Sequence, residues 1–379
     1  MTPQVNILVI AGEISGDLHA ARVIRSLRKQ VSADLRIWGF GGDALAAEGV
    51  ELRQHVRELA VMGIWEVLKR YGFFHKIFHD LVREVEAEPP DIILLVDYPG
   101  FNLRFARDIR HLGVPIVQYV CPQVWAWKQS RIPKMAKILD TLICLFPFEP
   151  SVFADVDLDV RYCGHPMVEE TLSVTSDSEW RKGPKLALIP GSREQEIARL
   201  FIPMMEAASI LRQEIPELQV RVSAVDVERE QQMRHLLQEH SGLFVPEWKR
   251  GGMRELVKGA DAALVTSGTA TLETALLGIP MVIVYKTSAL TYAVGKRVVK
   301  VPHIGMVNLV AEREICPEYI QDAAEPEALA AAVRPLLSDT GERSRMLEGL
   351  AEVRTLLESD EQGARVADVL VEHLSTKLS

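Results

Sequence analysis

The stretch Val5–Leu27, VNILVIAGEISGDLHAARVIRSL, reads as a strand, a glycine-bearing loop and a helix. Val5 to Ala11 is almost continuously apolar, as parallel strands are when helices cover both faces of their sheet. Gly12 opens the turn, and a helical pattern follows from near Gly16. Such a unit usually receives a phosphate on the N–H groups at the start of its helix. This loop carries Glu13 and Asp17 and has no Lys or Arg, so it repels an anion. Glu13 and Asp17 are expected to bond sugar hydroxyls or to order the loop; Asp17 also suits a helix N-terminus electrostatically.

Working outward, the same rhythm continues. DLRIWGF, DIILLVD, VPIVQYV, TLICLF and VRYCG are further short apolar runs separated by helical patterns. This βαβα order predicts a doubly wound parallel sheet. It breaks at the polar stretch Ser173–Lys185, SVTSDSEWRKGPK, read as an interdomain linker. LALIP, LQVRVSA, ADAALVT and IPMVIVY then restart it. The predicted organisation is a Rossmann-like domain over 1–172, a linker over 173–184 and a second Rossmann-like domain over 185–359. The closing helix, within 360–379, is placed back on the first domain by analogy.

The 379 residues are 48% hydrophobic and 25% charged, an ordinary globular balance. A net charge of -9 argues against a nucleic-acid binder. Cys121, Cys144, Cys163 and Cys316 form no C-x-x-C pair, so buried thiols are expected rather than a zinc site. The apolar start lacks a basic flank, and no apolar run reaches the roughly 18 residues of a membrane span. A cytoplasmic protein, soluble or peripheral, is the expectation.

The anion site belongs to the second half. In LALIPGSREQEI, Leu186–Ile197, a strand runs into Gly191, Ser192 and Arg193, and a helix begins. Ser192 is expected as N-cap with Gln195 at N3. Gly191 admits close approach, and Arg193 adds a fixed cation for a phosphate. In VTSGTATLETALLGIP, Ser267, Gly268 and Thr269 offer further donors, and Glu273 suits ribose hydroxyls or the helix start. Together these loops suggest a nucleoside diphosphate. In the first half, Asp97 ends an apolar strand in VDYPGFN. Its apolar surroundings raise a carboxyl pKa toward that of a useful base. His19 is a weaker candidate base. CPQVWAWKQSR places Trp125, Trp127, Lys128 and Arg131 after a strand, where they could meet a sugar or an anion. His165 in CGHPM is expected to be structural, and the D-x-D of ADVDLDV is not expected to bind metal. The segment Val61–Val85 mixes Trp65, Phe73, Phe74 and Phe78 with Lys69, Arg70, His75 and Lys76. It suits either core packing or acyl chains and anionic headgroups.

Taken in order along nearly the whole chain, AGEISGD, VMGIWEVL, VDYPGFN, YVCPQVWAWK, CGHPM, LIPGSREQEI, TSGTATLETALLGIPMVIVYK and HIGMVNLVAEREICPEYIQ resemble the lipid-A-disaccharide synthase family. The sequence departs from that pattern at Glu312, where glycine is usual, and Cys316 is less typical. The resemblance implies a GT-B fold of the α/β class, two Rossmann-like domains with parallel sheets facing a central cleft. It implies inverting, metal-independent glycosyl transfer with no cofactor. The donor would be UDP-2,3-diacylglucosamine and the acceptor 2,3-diacylglucosamine 1-phosphate. The products would be a β-1′,6-linked lipid A disaccharide 1-phosphate and UDP. Asp97 matches a catalytic aspartate, with Glu13 beside it as the other candidate. Arg193 matches a donor-site arginine, and Asn308 and Gln321 fall in a donor-side motif with Pro317 and Glu318. Ser15, Met62, Trp65, Phe73, Phe74, Trp125 and Lys128 are the candidate acceptor and lipid contacts. A membrane lipid surface at the cytoplasmic face of the inner membrane and a homodimer are further implied partners. The competing readings are another UDP-sugar transferase or epimerase, and a nucleotide-binding peripheral membrane protein without catalysis. A NAD oxidoreductase is disfavoured, because AGEISGD is not G-x-G-x-x-G and puts acids where pyrophosphate would sit.

Overall fold

The computed structural model describes residues 4–59, 71–177, 180–298, 301–358 and 362–378. The chain divides into two compact units, Met1–Pro166 with Ser359–Ser379, and Met167–Glu358.

In the first unit, β1 (Gln4–Ala11), β2 (Asp34–Gly41), β3 (Glu51–His55), β4 (Ile92–Val96), β5 (Ile116–Tyr119), β6 (Thr141–Cys144) and β7 (Asp159–Tyr162) form one parallel sheet. Its order is β3-β2-β1-β4-β5-β6-β7. Alternate residues of β1 enter opposite cores. Ile7 and Val9 pack with Ala20, Ile24 and Leu27 of the helix Ile14–Gln30. Leu8 and Ile10 pack with Phe78, Leu81 and Phe105 on the other face. A strand apolar on both faces reads as an unbroken run, which is why the sequence showed it. The helix Gln362–Leu378 belongs to this unit and puts Val366, Leu370 and Leu374 into the first core. Gln362 Nε2 donates to the Tyr119 hydroxyl at 2.5 Å, and Gln30 Nε2 donates to Asp368 Oδ1 at 2.9 Å.

The second unit repeats the plan with β8 (Lys185–Ile189), β9 (Gln219–Ala224), β10 (Glu247–Arg250), β11 (Ala262–Thr266), β12 (Met281–Tyr285) and β13 (Glu318–Ile320), in the order β10-β9-β8-β11-β12-β13. The strands β3, β10 and β13 carry no apolar run, being the edge strands ELRQH, EWKR and EYI. An edge strand is half covered, so its hydrophobic signal is weak. The helix Met167–Leu172, read from sequence as the end of the first domain, lies in the second unit against the helix Thr269–Leu276. The polar stretch read as a linker is fastened there too. Asp177 pairs with Arg221 at 2.9 Å, both side chains 3% exposed, and Trp180 Nε1 donates to the Leu256 carbonyl at 3.0 Å.

The departure at Glu312 has a physical reading. It follows the short helix Met306–Val310 in the left-handed region, at φ 54°. Its N–H donates to Leu309 O, and the N–H of Arg313 donates to Asn308 O, each at 3.2 Å. This is the Schellman pattern, whose left-handed position favours glycine. A side chain there costs about 1–2 kcal/mol, part of which glycine loses to the entropy of the unfolded chain. Glu312→Gly is therefore expected to raise stability by about 0.5–1 kcal/mol in urea unfolding. A loss of stability would contradict the cap.

Candidate active site

Open α/β sheets bind ligands beyond the carboxyl ends of their strands, where strand order reverses. In the first sheet that point lies between β1 and β4. Their register pairs Ala11 with Val96, so the loop from Gly12 begins beside the loop from Asp97. Gly12 is required by the contact. A Cβ on it would lie 2.3 Å from Tyr98 Cδ1. Asp97 and Tyr98 both take a left-handed backbone, at φ 48° and 47°. Three bonds hold Asp97 so. Its N–H donates to Tyr119 O at 2.9 Å, and its carbonyl accepts from Asn102 Nδ2 at 2.8 Å and Gln118 Nε2 at 3.2 Å. Asn102 and Gln118 are fully buried. Sequence reading gave these two amides no role; the signal available was a glutamine inside the apolar run VPIVQYV.

Burial lifts the Asp97 carboxyl above the usual aspartate range, a bond from the Tyr98 backbone opposing it. Glu13, at the N-cap of the helix Ile14–Gln30, is also raised, first by partial burial and then by the charge of Asp97. The helix begins two residues before the expected Gly16. Asp17 does not share the site. Its buried carboxylate accepts the N–H groups of Gly42, Ala44 and Leu45 at 2.6, 3.0 and 3.1 Å, and so orders the neighbouring loop.

Asp97, Trp125 and Lys128 line one cavity of about 300 Å³ with Val120 and Glu149. Trp125 Nε1 donates to Glu149 Oε1 at 2.9 Å, while Glu149 Oε2 accepts the N–H groups of Leu145 and Phe146, each at 3.0 Å. Burial pushes Glu149 up to about 7 despite these donors. Sequence reading did not single out Glu149. Lys128 Nζ sits 4.2 Å from the centroid of the Trp127 ring. Among the described residues, six other than glycine take a left-handed φ. Five of them, Asp97, Tyr98, Val120, Lys128 and Gln321, lie in or beside loops flagged from the sequence. Each costs of order 1–3 kcal/mol, and such strain concentrates at functional sites.

Ser15 lies exposed in the first helical turn. Met62 and Trp65 lie outside the described residues. On the helix Tyr71–Ala87, Phe78 is a core residue packed on Phe101 and Phe105, whereas Phe73 and Phe74 are half-buried. His165 is buried against the Phe146 ring at 5.1 Å, as a structural histidine.

In the second sheet the strand order reverses between β8 and β11, which puts the Gly191–Arg193 loop beside Ser267–Thr269. The helix starts one residue later than the sequence suggests. Arg193, not Ser192, is the N-cap, and Glu196, not Gln195, turns back from N3. Glu196 Oε1 accepts from the Arg193 guanidinium at 2.8 Å. Gly191 stands at φ 105°, where a Cβ would lie 2.7 Å from Glu196 Oε2. Ser192 and Arg193 remain exposed. Arg193 borders a cavity of about 400 Å³ in which three cations, Arg193, Arg199 and Lys286, share the lining with Glu194 and Glu196. Gln321 holds the wall of that cavity, accepting from Thr287 N at 2.6 Å and donating to Thr287 O at 3.1 Å.

Three further candidate donor contacts are engaged within the protein. Asn308 makes all four bonds its amide allows, donating to Cys316 O and Glu318 Oε1 and accepting from the N–H groups of Ile315 and Cys316. Its amide therefore builds the loop rather than touching a ligand. Glu318 in turn accepts the N–H groups of Ile304 and Gly305, and Ser267 Oγ donates to Ile304 O at 2.9 Å. Glu273 Oε2 accepts from Arg254 Nε at 2.9 Å, a partner the sequence did not suggest. Gly268 and Thr269 are exposed at the start of the helix Thr269–Leu276.

A structure of a putative UDP-N-acetylglucosamine 2-epimerase from Listeria monocytogenes superposes with a TM-score of 0.64 at 12% identity, over 99% of this chain and 98% of that one. A calicheamicin glycosyltransferase superposes with a TM-score of 0.57 at 15% identity, over 99% and 98%. At such identity these likenesses show the fold, which is that of GT-B glycosyltransferases and epimerases. The lipid-A-disaccharide synthase of Myxococcus xanthus (strain DK1622) is 41% identical over 382 residues, covering 99% of both chains. That of Geobacter metallireducens (strain ATCC 53774 / DSM 7210 / GS-15) is 37% identical over 383 residues, again covering 99% of both. A family profile described as lipid-A-disaccharide synthetase matches residues 7–368. With relatives of this identity along the full length, the chain belongs to the lipid-A-disaccharide synthetase family.

Proposed function

We propose that the chain transfers 2,3-diacylglucosamine from UDP-2,3-diacylglucosamine to the 6-hydroxyl of 2,3-diacylglucosamine 1-phosphate, with Asp97 as the base. Family membership makes it a glycosyltransferase with a UDP-sugar donor and a lipid acceptor. The observation that carries the residue assignment is the strained, half-buried carboxylate of Asp97 at the reversal point of the first sheet. The acceptor hydroxyl gives its proton to Asp97 as its oxygen attacks the anomeric carbon. The bond from that carbon to the UDP oxygen breaks, and UDP leaves as an anion. One displacement inverts the centre, so one base suffices. The charge of Asp97 in turn raises the Glu13 carboxyl. Trp125 and Lys128 supply a sugar-facing ring and a cation in the same cavity.

The leaving diphosphate needs fixed donors that do not reorganise during the reaction. Arg193, the Gly191–Ser192 backbone and the start of the helix Thr269–Leu276 supply them. Arg193→Ala is expected to weaken UDP binding by roughly 10–100-fold in isothermal titration, the cost of one charge-assisted contact. Unchanged affinity would remove Arg193 from the donor site.

Among the described residues no helix is long and apolar enough to cross a membrane. Peripheral contact with a lipid surface, through Phe73 and Phe74, completes the proposal. Phe73→Ser is expected to reduce cosedimentation with anionic vesicles by up to about 10-fold, near the value of burying one phenylalanine. Stability should change by less than about 1 kcal/mol. Equal sedimentation would exclude this residue from the contact.

A further inference from the structure

The four cysteines look scattered along the chain, yet parallel strands bring two of them together. Cys144 ends β6, and Cys121 follows the neighbouring β5. The Val120 N–H donates to Ile143 O at 3.0 Å, which ties the two strand ends side by side. The turn after β6 then returns Glu149 to the same place. One ligand atom from each of Cys121, Cys144 and Glu149 lies within 4.8 Å of the others, and all three residues are buried. We infer that Cys121, Cys144 and Glu149 form a binding site for a thiophilic divalent cation of the zinc class.

The chemistry of the donors fits. Two sulfurs and one carboxylate suit zinc, with bonds of about 2.3 Å to sulfur and 2.0–2.2 Å to oxygen. Those bonds put ligand atoms roughly 3.5–3.8 Å apart in a tetrahedron, so the cluster needs only a small contraction. The carboxylate need not abandon its present partners. Each of its oxygens has two acceptor sites; Oε1 uses one for Trp125, and the carboxylate also takes a bond from the Cys121 thiol, whose proton a metal would replace. Loss of the thiol proton frees that acceptor site for a metal while Trp125 and the Leu145–Phe146 turn stay bound. Cys121 and Glu149 also border the cavity that holds Asp97 and Lys128. The fourth coordination position is therefore open, for a water or a small anion, as in three-ligand zinc sites. Binding replaces the two thiol protons by one cation and releases them to solvent; no electron moves. No spacing motif announces such a site, because its ligands converge through strand order rather than sequence.

The test uses Co²⁺ as the spectroscopic probe, with the full chain purified metal-free under a non-thiol reductant. One equivalent of Co²⁺ is expected to bind per chain, with a thiolate-to-cobalt charge-transfer band and the strong visible bands of tetrahedral coordination. Zn²⁺ should displace it stoichiometrically. Cys121→Ala and Cys144→Ala should each lower affinity by more than the roughly 10–100-fold that losing an outer-shell partner costs. Glu149→Gln should shift the visible bands while the charge-transfer band remains. Absence of the charge-transfer band in the wild-type chain would overturn the proposal, whatever the variants do. So would a band that survives in both cysteine variants, shown to be folded by thermal unfolding. These readings involve neither UDP nor acceptor, so they stand or fall apart from the assignment of Asp97.

Discussion

Asp97→Asn is expected to lower kcat by roughly 10²–10⁴-fold, the usual contribution of a general base. Asn keeps the size of the side chain and can accept the bond from the Tyr98 N–H, but it cannot take the acceptor proton. The protein should not lose stability. A carboxyl whose folded pKa is raised contributes stability below its unfolded pKa and loses it as pH rises through the folded value. Burial raises Asp97 in this way, so near pH 7 the charged form is the costly one and an amide relieves it. The pH profile of the wild type gives a second readout. Asp97 must be ionised to act, so activity should fall on acidification along a limb lying above the ordinary aspartate pKa of about 3.9. Burial and not Glu13 is what lifts Asp97, so Glu13→Gln should leave that limb in place, whereas Asp97→Asn should lower the Glu13 pKa by removing a like charge. Near-normal turnover of Asp97→Asn would end the base assignment.

Gly12→Ala is expected to cost at least roughly 100-fold in kcat, in line with the loss from displacing a reacting group by about 1 Å. The added methyl would lie 2.3 Å from Cδ1 and 2.4 Å from Cγ of Tyr98. These atoms are near the root of the side chain, so rotating the ring tip does not relieve the overlap. Tyr98 follows Asp97 directly, and both sit in left-handed backbone. Moving one therefore moves the other, although Gly12 itself bears no reactive group. The donor half is untouched, so UDP affinity should remain within about 2-fold while kcat falls. A parallel loss of UDP affinity, or wild-type turnover, would contradict the coupling.

These two substitutions also show what a sequence can and cannot disclose. The central strands were legible because burial on both faces leaves VNILVIA and DIILLVD without polar interruption. The edges ELRQH, EWKR and EYI were not, because half-covered strands need no such run. Asp97, Glu13, Arg193 and the Ser267 loop stood out as polar residues at the carboxyl ends of apolar strands, where register then placed them in neighbouring pairs of loops. What holds them was hidden. Asn102, one helical turn on, and the distant Gln118 clamp a carbonyl, while Glu149 holds Trp125 and Gln321 pins Thr287 across more than twenty residues. Asn308 shows the reverse case. Its motif suggested a ligand contact, but its amide is saturated by its own loop. The N-cap slipped from Ser192 to Arg193 because two acids and a glutamine in succession offer more than one partner for the turn.

The most direct measurement is UDP release by the purified chain in detergent micelles from UDP-2,3-diacylglucosamine, with and without 2,3-diacylglucosamine 1-phosphate, with mass spectrometry of the lipid product. Release should depend on the acceptor and match, mole for mole, the appearance of a tetraacyl disaccharide 1-phosphate. Release at the same rate without acceptor, or UDP binding with no disaccharide formed, would contradict the proposed transfer.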